Sequence, residues 1–135
     1  MRVAIPTWQG GVSPVLDVAR NLVLVDIEAG AEHGRREVAL NEASVSARAA
    51  RLASLAPDVL ICGAVSRPLE QALLSSGIRV VAQVCGAADE VLAAYLAGRL
   101  SDAVFRMPGC GRLPLARDPK ARRDRAGGQD QRMQA

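Results

Sequence analysis

Each of the three cysteines in this 135-residue chain has a glycine neighbour, in "ICGAVSR", "VCGAADE" and "MPGCGRL". Thiolates are nucleophiles and soft-metal ligands, so Cys62, Cys85 and Cys110 are the residues whose type and spacing invite chemistry. Three thiolates suit a soft metal or a cluster whose shell is completed by an outside ligand or a second subunit. No Cys-x2-Cys spacing exists, so a closed four-ligand zinc site is not indicated. Two of the thiols, Cys62 and Cys85, also suit a reversible disulfide in a redox or regulatory module. The third reading is inert burial, because unpaired cysteine is among the most buried residue types.

The elements that must position these residues follow from periodicity and turn chemistry. "RVAIP" (2–6) reads as a short strand stopped by Pro6, followed by a loop through "TWQGGVSP". Strands at 21–28 and 35–41 form a hairpin across the turn "AGAEHG". A helix over 45–56, capped by Ser44, points Val45, Ala49, Leu52, Ala53 and Ala56 inward, and Pro57 ends it. "DVLIC" (58–62) is wholly apolar, as a strand buried on both faces must be. A helix over 67–76, a strand ending at Cys85 and a helix over 87–98 complete the domain. The order predicts a three-layer α/β/α sandwich with a five-stranded mixed sheet.

In that architecture a right-handed crossover makes the strands before Cys62 and Cys85 parallel, ~4.8 Å apart if adjacent. Each cysteine then closes a strand at the carboxyl edge, where open α/β sheets bind ligands. The glycines after them permit a sharp turn, and helix N-termini there favour an anion or thiolate. The loop after the first strand shares this edge and brings Trp8 and Ser13 to it. The ten or so residues before Cys110 can span up to ~33 Å, enough to return that thiol to the others. Ser13, Arg67 and the backbone N–H groups of Gly63 and Gly86 are the expected polar contacts to an anionic ligand.

Composition narrows the classes further. Half the residues are hydrophobic, but Trp8, Tyr95 and Phe105 are the only aromatics, so the core is aliphatic. The net charge of +3 resides in the tail, since residues 112–135 hold seven basic and three acidic side chains. That tail lacks interleaved aromatics and carries Asp118, Asp124 and Asp130, so nucleic acid is not an expected partner. No run approaches the ~20 apolar residues of a membrane span, and the N-terminus has no secretory pattern. These features, with an odd cysteine count, predict a cytoplasmic protein with reduced thiols and no membrane partner. Residues 1–106 form the expected domain. Residues 107–135 form a Cys-containing Pro/Gly/Arg-rich tail, expected to be largely disordered. No phosphate loop, nucleophile elbow or histidine beside a serine or cysteine is present, so no enzymatic site is indicated.

The stretches "MRVAIPTWQGGVSPVLDVARNLVLVDIE", "PDVLICGAVSRPLEQALLSSGIRVV" and "EVLAAYLAGRL" together resemble the dinitrogenase iron-molybdenum cofactor biosynthesis family over roughly residues 1–105. The resemblance implies a fold similar to ribonuclease H. It implies non-enzymatic binding or carriage of an iron-sulfur or iron-molybdenum type cluster, with cofactor-assembly proteins as partners. Nuclease chemistry on such a fold needs acidic residues on the first and fourth strands, which read "VAIPT" and "VLICG". Many family members continue the Ser-Pro segment with His-Phe-Gly, whose His is the expected cluster ligand. Here Val15, Leu16 and Asp17 stand instead. Cys62, Cys85 and Cys110 are the candidate replacements as metal ligands, and a homodimer would complete an open three-thiolate shell.

Overall fold

A computed structural model of the chain describes residues 1–100, Phe105 and Ala116–Arg117. The strands are β1 (Arg2–Trp8), β2 (Gly11–Val12), β3 (Asn21–Glu28), β4 (Ala31–Ala39), β5 (Val59–Ile61), β6 (Arg79–Val81) and β7 (Ala116–Arg117). The helices are α1 (Val45–Ser54), α2 (Arg67–Ser75) and α3 (Ala88–Leu96). The sheet order is β4-β3-β1-β5-β6-β7, with β2 paired to β1. The strand pairs β1–β5 and β5–β6 are parallel and the others antiparallel, so the sheet is mixed, as expected.

Alternation along the strands divides the core into two layers. Ala4, Leu22, Leu24, Leu60 and Val80 face α1 and α2, where Leu52, Leu69 and Leu73 close over them. Val3, Ile5, Val23, Val25, Ile61 and Val81 face α3 and meet Val91 and Leu92. Strands buried on both faces read as continuous apolar runs, and "VLI" in β5 is such a run. Each fully buried Leu or Ile side chain contributes about 1.5–3 kcal/mol of transfer free energy. The edge strand β4 buries only Val38 among its nine residues, and its exposed charges discourage pairing with another chain. From it Arg35 reaches Glu32 and, on α3, Asp89.

Several boundaries differ from the sequence reading, each for a local reason. β1 does not stop at Pro6. Its register with β5 ends at Ala4–Leu60, so the missing proline N–H falls where that side of the ladder has run out. The strand continues to Trp8 and turns at Gln9 and Gly10, both with positive φ, into β2. A two-residue turn with both φ values positive matches the twist of a hairpin. The same device at Ala29 and Gly30 starts β4 at Ala31 rather than Arg35. Helix α1 ends at Ser54, and Ala56 with φ 55° turns the chain before Pro57. Within α1, Val45 is exposed and Arg48 takes an inward position. Of the tail, only Ala116–Arg117 are described, and they pair antiparallel with β6. The rest of residues 107–135, Cys110 included, lies outside the described residues.

The segment following β2 crosses directly over the end of β5. A Cβ on Gly63 would lie 2.5 Å from the Pro14 carbonyl oxygen and 2.7 Å from that of Ser13. The obstructing atoms are backbone, which cannot swing aside. Gly63→Ala is therefore expected to destabilise the fold by about 1–3 kcal/mol. Gly34, with nothing within 4 Å of its missing Cβ, is the control. Urea unfolding of both variants checks this, and equal midpoints would contradict the crowding argument.

Candidate functional site

The carboxyl ends of β1 and β5 meet the segment from Ser13 to Arg20, and short hydrogen bonds fix that segment. The Ser13 amide donates to the Pro6 carbonyl at 2.8 Å. The Ala64 amide donates to Pro14 and the Leu16 amide donates to Ala64, both at 2.8 Å, forming a parallel bridge between Val15 and Ala64. Leu16, with no exposed surface, plugs the segment into the core beneath. A single 3-10 turn follows at Leu16–Val18. Asp17 in that turn accepts from the Ser66 amide at 2.8 Å and the Ser66 hydroxyl at 2.5 Å. Ser66 is itself the N-cap of α2, so the carboxylate sits where the helix dipole favours negative charge.

Between this segment and the end of β1 lies an open cleft of about 320 Å³. Thr7, Trp8, Ser13, Pro14, Val15, Val18, Ala19, Arg20 and Asn21 line it. Trp8 is 59% exposed and Val18 70%, an unusual surfeit of apolar surface at one place. The lining holds no carboxylate, imidazole or thiol, and Arg20 is its one formal charge. The buried Ser13 hydroxyl donates to the Val15 carbonyl over a long 3.5 Å. Chemically the cleft can surround an anionic body with apolar faces, and among its described residues the oxygens of Thr7, Ser13 and Asn21 are neutral, with no anionic ligand for a metal cation.

The cysteines are not equivalent. Cys62 follows β5 immediately and is wholly buried among the side chains facing α1 and α2. Burial, with lesser contributions from the charges of Glu70 and Asp17, pushes its thiol up to about 12. The structure places this thiol in the core, whereas the sequence reading expected it at the sheet edge as a thiolate ligand. Cys85 does not close a strand. The register pairs Ile61 with Val81, where β6 ends, so Cys85 lies four residues further on. It is half-buried, and its amide donates to the Phe105 carbonyl at 2.8 Å on the α3 side. Beyond the paired strands the Val84 amide donates to the Cys62 carbonyl at 3.0 Å, so the two cysteines lie on neighbouring segments, and no disulfide joins them in this structure. Among the described residues no three His, Cys, Asp or Glu side chains converge to hold a metal ion.

The other expected contacts divide similarly. Ser13 lines the cleft, whereas Gly63, Arg67 and Gly86 do not. Gly63 serves the crossing of Pro14. Gly86, with φ 124°, presents its carbonyl to the Val12 amide at 2.9 Å and so joins β2 to the start of α3. Arg67 is exposed at the first residue of α2. Val18, Arg20 and Arg48 were not singled out by sequence reasoning. The signal for Arg48 was present, since it stands four residues before the buried Leu52 on an otherwise apolar helix face.

Because the folded Cys62 thiol titrates near 12 rather than 9.0, the unfolded chain ionises first as pH rises. The stability it contributes is complete below about pH 9 and is lost progressively towards pH 12. Urea unfolding across that range should show an alkaline decline that Cys62→Ala flattens. In the native protein a thiol reagent should modify Cys85 well before Cys62; equal rates would show that Cys62 is not sealed in the core.

The arrangement has counterparts. Residues 1–98 match the family described as dinitrogenase iron-molybdenum cofactor. The crystal structure of PH0822 is similar with a TM-score of 0.69 and 27% identity, over 74% of this chain and 94% of its own. The apo form of the orange protein from Desulfovibrio gigas gives 0.61 and 26%, over 78% and 94%. The mj0327 protein of Methanocaldococcus jannaschii, at 0.64 and 16% over 78% and 96%, shares the fold. None of the curated proteins compared matches the chain.

Proposed function

The chain belongs to the dinitrogenase iron-molybdenum cofactor family, and from that membership and the cleft beside Trp8 we propose that it binds and carries a metal cluster. Its role is non-enzymatic, in the assembly of an iron-sulfur or molybdenum/iron-containing cofactor, and its partners are the proteins that supply and receive the cluster. The observation that carries this reading is the lining of the cleft: apolar walls, hydroxyl groups, the Asn21 amide and one arginine, with no thiolate, imidazole or carboxylate among the described residues. A bare soft or borderline metal ion finds no anionic or imidazole ligand in that set. A preassembled cluster brings its own sulfide and outer ligands and is commonly anionic. It can therefore be held by packing against Trp8, Val15 and Val18 and by the charge of Arg20. A cation at the rim of a partly desolvated cleft contributes more than one in open water. Such holding is also reversible, as carriage requires. Thiolate ligation by the cysteines is a separate element of the proposal, since Cys85 does not line the cleft, and the same experiment tests it.

Anaerobic incubation of the protein with ferrous iron and sulfide, with and without molybdate, should yield metal and sulfide that co-elute with it. Binding should quench Trp8, the only tryptophan in the chain. Arg20→Glu and Trp8→Ala should each weaken loading roughly tenfold, equivalent to about 1.4 kcal/mol. Cys85→Ser combined with Cys110→Ser should lower retention if thiolates take part. Absence of co-eluting metal, or loading indifferent to Arg20 and Trp8, would sink the assignment of the cleft.

A further inference from the structure

The turn Leu16–Val18 and the residues after it border two open spaces. One is the cleft beside Trp8. The other is a second hollow of about 490 Å³, lined by Asp17, Val18, Arg20, Asn41, Glu42 and Arg48 among others. Val18 and Arg20 border both spaces. Exposed side chains that border two open spaces are placed by the backbone that carries them, because packing fixes a group only where neighbours fill the space around it.

Arg48 adds a restraint on that backbone beyond the seat of Leu16 in the core and the bonds of Asp17 to Ser66. It is 6% exposed on α1, and its guanidinium donates from Nη1 to the Ala19 carbonyl at 2.6 Å and more weakly to the Leu16 carbonyl at 3.4 Å. Nη2 donates to the Glu42 carbonyl at 2.8 Å, while Nε is buried with no partner among the described residues. No carboxylate among the described residues forms an ion pair with it. A buried charge without a counter-ion is costly, and here the hydrogen bonds to carbonyls are what offset that cost. What only a guanidinium provides is a rigid fork that holds carbonyls at separate points of the chain at once. Here the fork ties both ends of the 3-10 turn to the segment leading into α1.

We propose that Arg48 is a positioning residue for the ligand cleft, setting Val18 and Arg20 from behind without touching the ligand. The identity of that ligand rests on the function proposed above; the positioning role does not.

The test compares wild type with Arg48→Lys, Arg48→Met and, as a control on the same helix, Arg51→Lys. In the unloaded proteins, amide hydrogen exchange at Leu16, Val18 and Ala19 should quicken at least tenfold in Arg48→Met. Arg48→Lys, which can satisfy one carbonyl, should fall between. Exchange at Val23 and Leu60 in the core should stay at the wild-type rate in all of them. After incubation with ferrous iron and sulfide, Arg48→Met should also lose roughly tenfold in retained metal, and the visible circular dichroism of any bound cluster should change. Far-UV circular dichroism guards against global unfolding, and should Arg48→Met fail to fold, Arg48→Lys carries the comparison. Unchanged exchange at residues 16–19, or acceleration shared equally by the core, would overturn the proposal. If wild type takes up no metal, the cluster reading fails, and the exchange data still decide the role of Arg48.

Discussion

Pro14 passes so close above Gly63 that the two backbones exclude any side chain between them, and the candidate site depends on that contact. Once the carbonyl of Pro14 is engaged by the amide of Ala64, and the carbonyl of Ala64 by the amide of Leu16, the following residues have little freedom. Leu16 must enter the core, Asp17 must emerge beside Ser66, and Val18 to Arg20 must pass in front of the end of β1. A cleft at a sheet edge usually arises between loops that diverge. In this chain it arises because one loop is held against the neighbouring strand end while the β1–β2 hairpin rises on its other side.

The hairpin is fastened by equally local means. Helix α3 lacks a side-chain cap, and the Gly10 carbonyl accepts from the Ala88 amide at 3.0 Å in its place. The turn that raises Trp8 therefore also satisfies one of the helix's otherwise unpaired donors. Trp8 is exposed, yet the backbone that carries it is fixed at both ends.

The layers of the sandwich were legible from the sequence because they follow from periodicity. "VLI" in β5 and "LVLV" in β3 announce strands covered on two faces, and Ser44 and Pro57 punctuate the first helix as their chemistry requires. The family was legible too, from the order of segments around "GGVSP" and "ICG". The site was less so. Cys62 and Cys85 look alike in the sequence because both precede Gly-Ala, but β6 ends at Val81, so matching tripeptides occupy unmatched places. Whether a thiol at a strand end points into the core depends on strand parity. Parity assigns Cys62 to the same face as Leu60. The role of Arg48 depends on carbonyls about thirty residues away, which no local pattern announces. Strand β7 is two residues long, too short for any periodicity to declare it.

The bonds that hold the cleft wall share one property: they join parts of the chain that are far apart in sequence. Asp17 meets Ser66 across 49 residues, and Arg48 meets Leu16 across 32. Contacts of such separation form late, since the loop they close must be ordered before they reward it. The hairpin of β3 and β4 can form on its own, but the cleft wall cannot be fixed until Ser66 has joined the fold. The candidate cleft, although its lining lies within the first 21 residues, is therefore complete only once chain as distant as Ser66 has joined the fold.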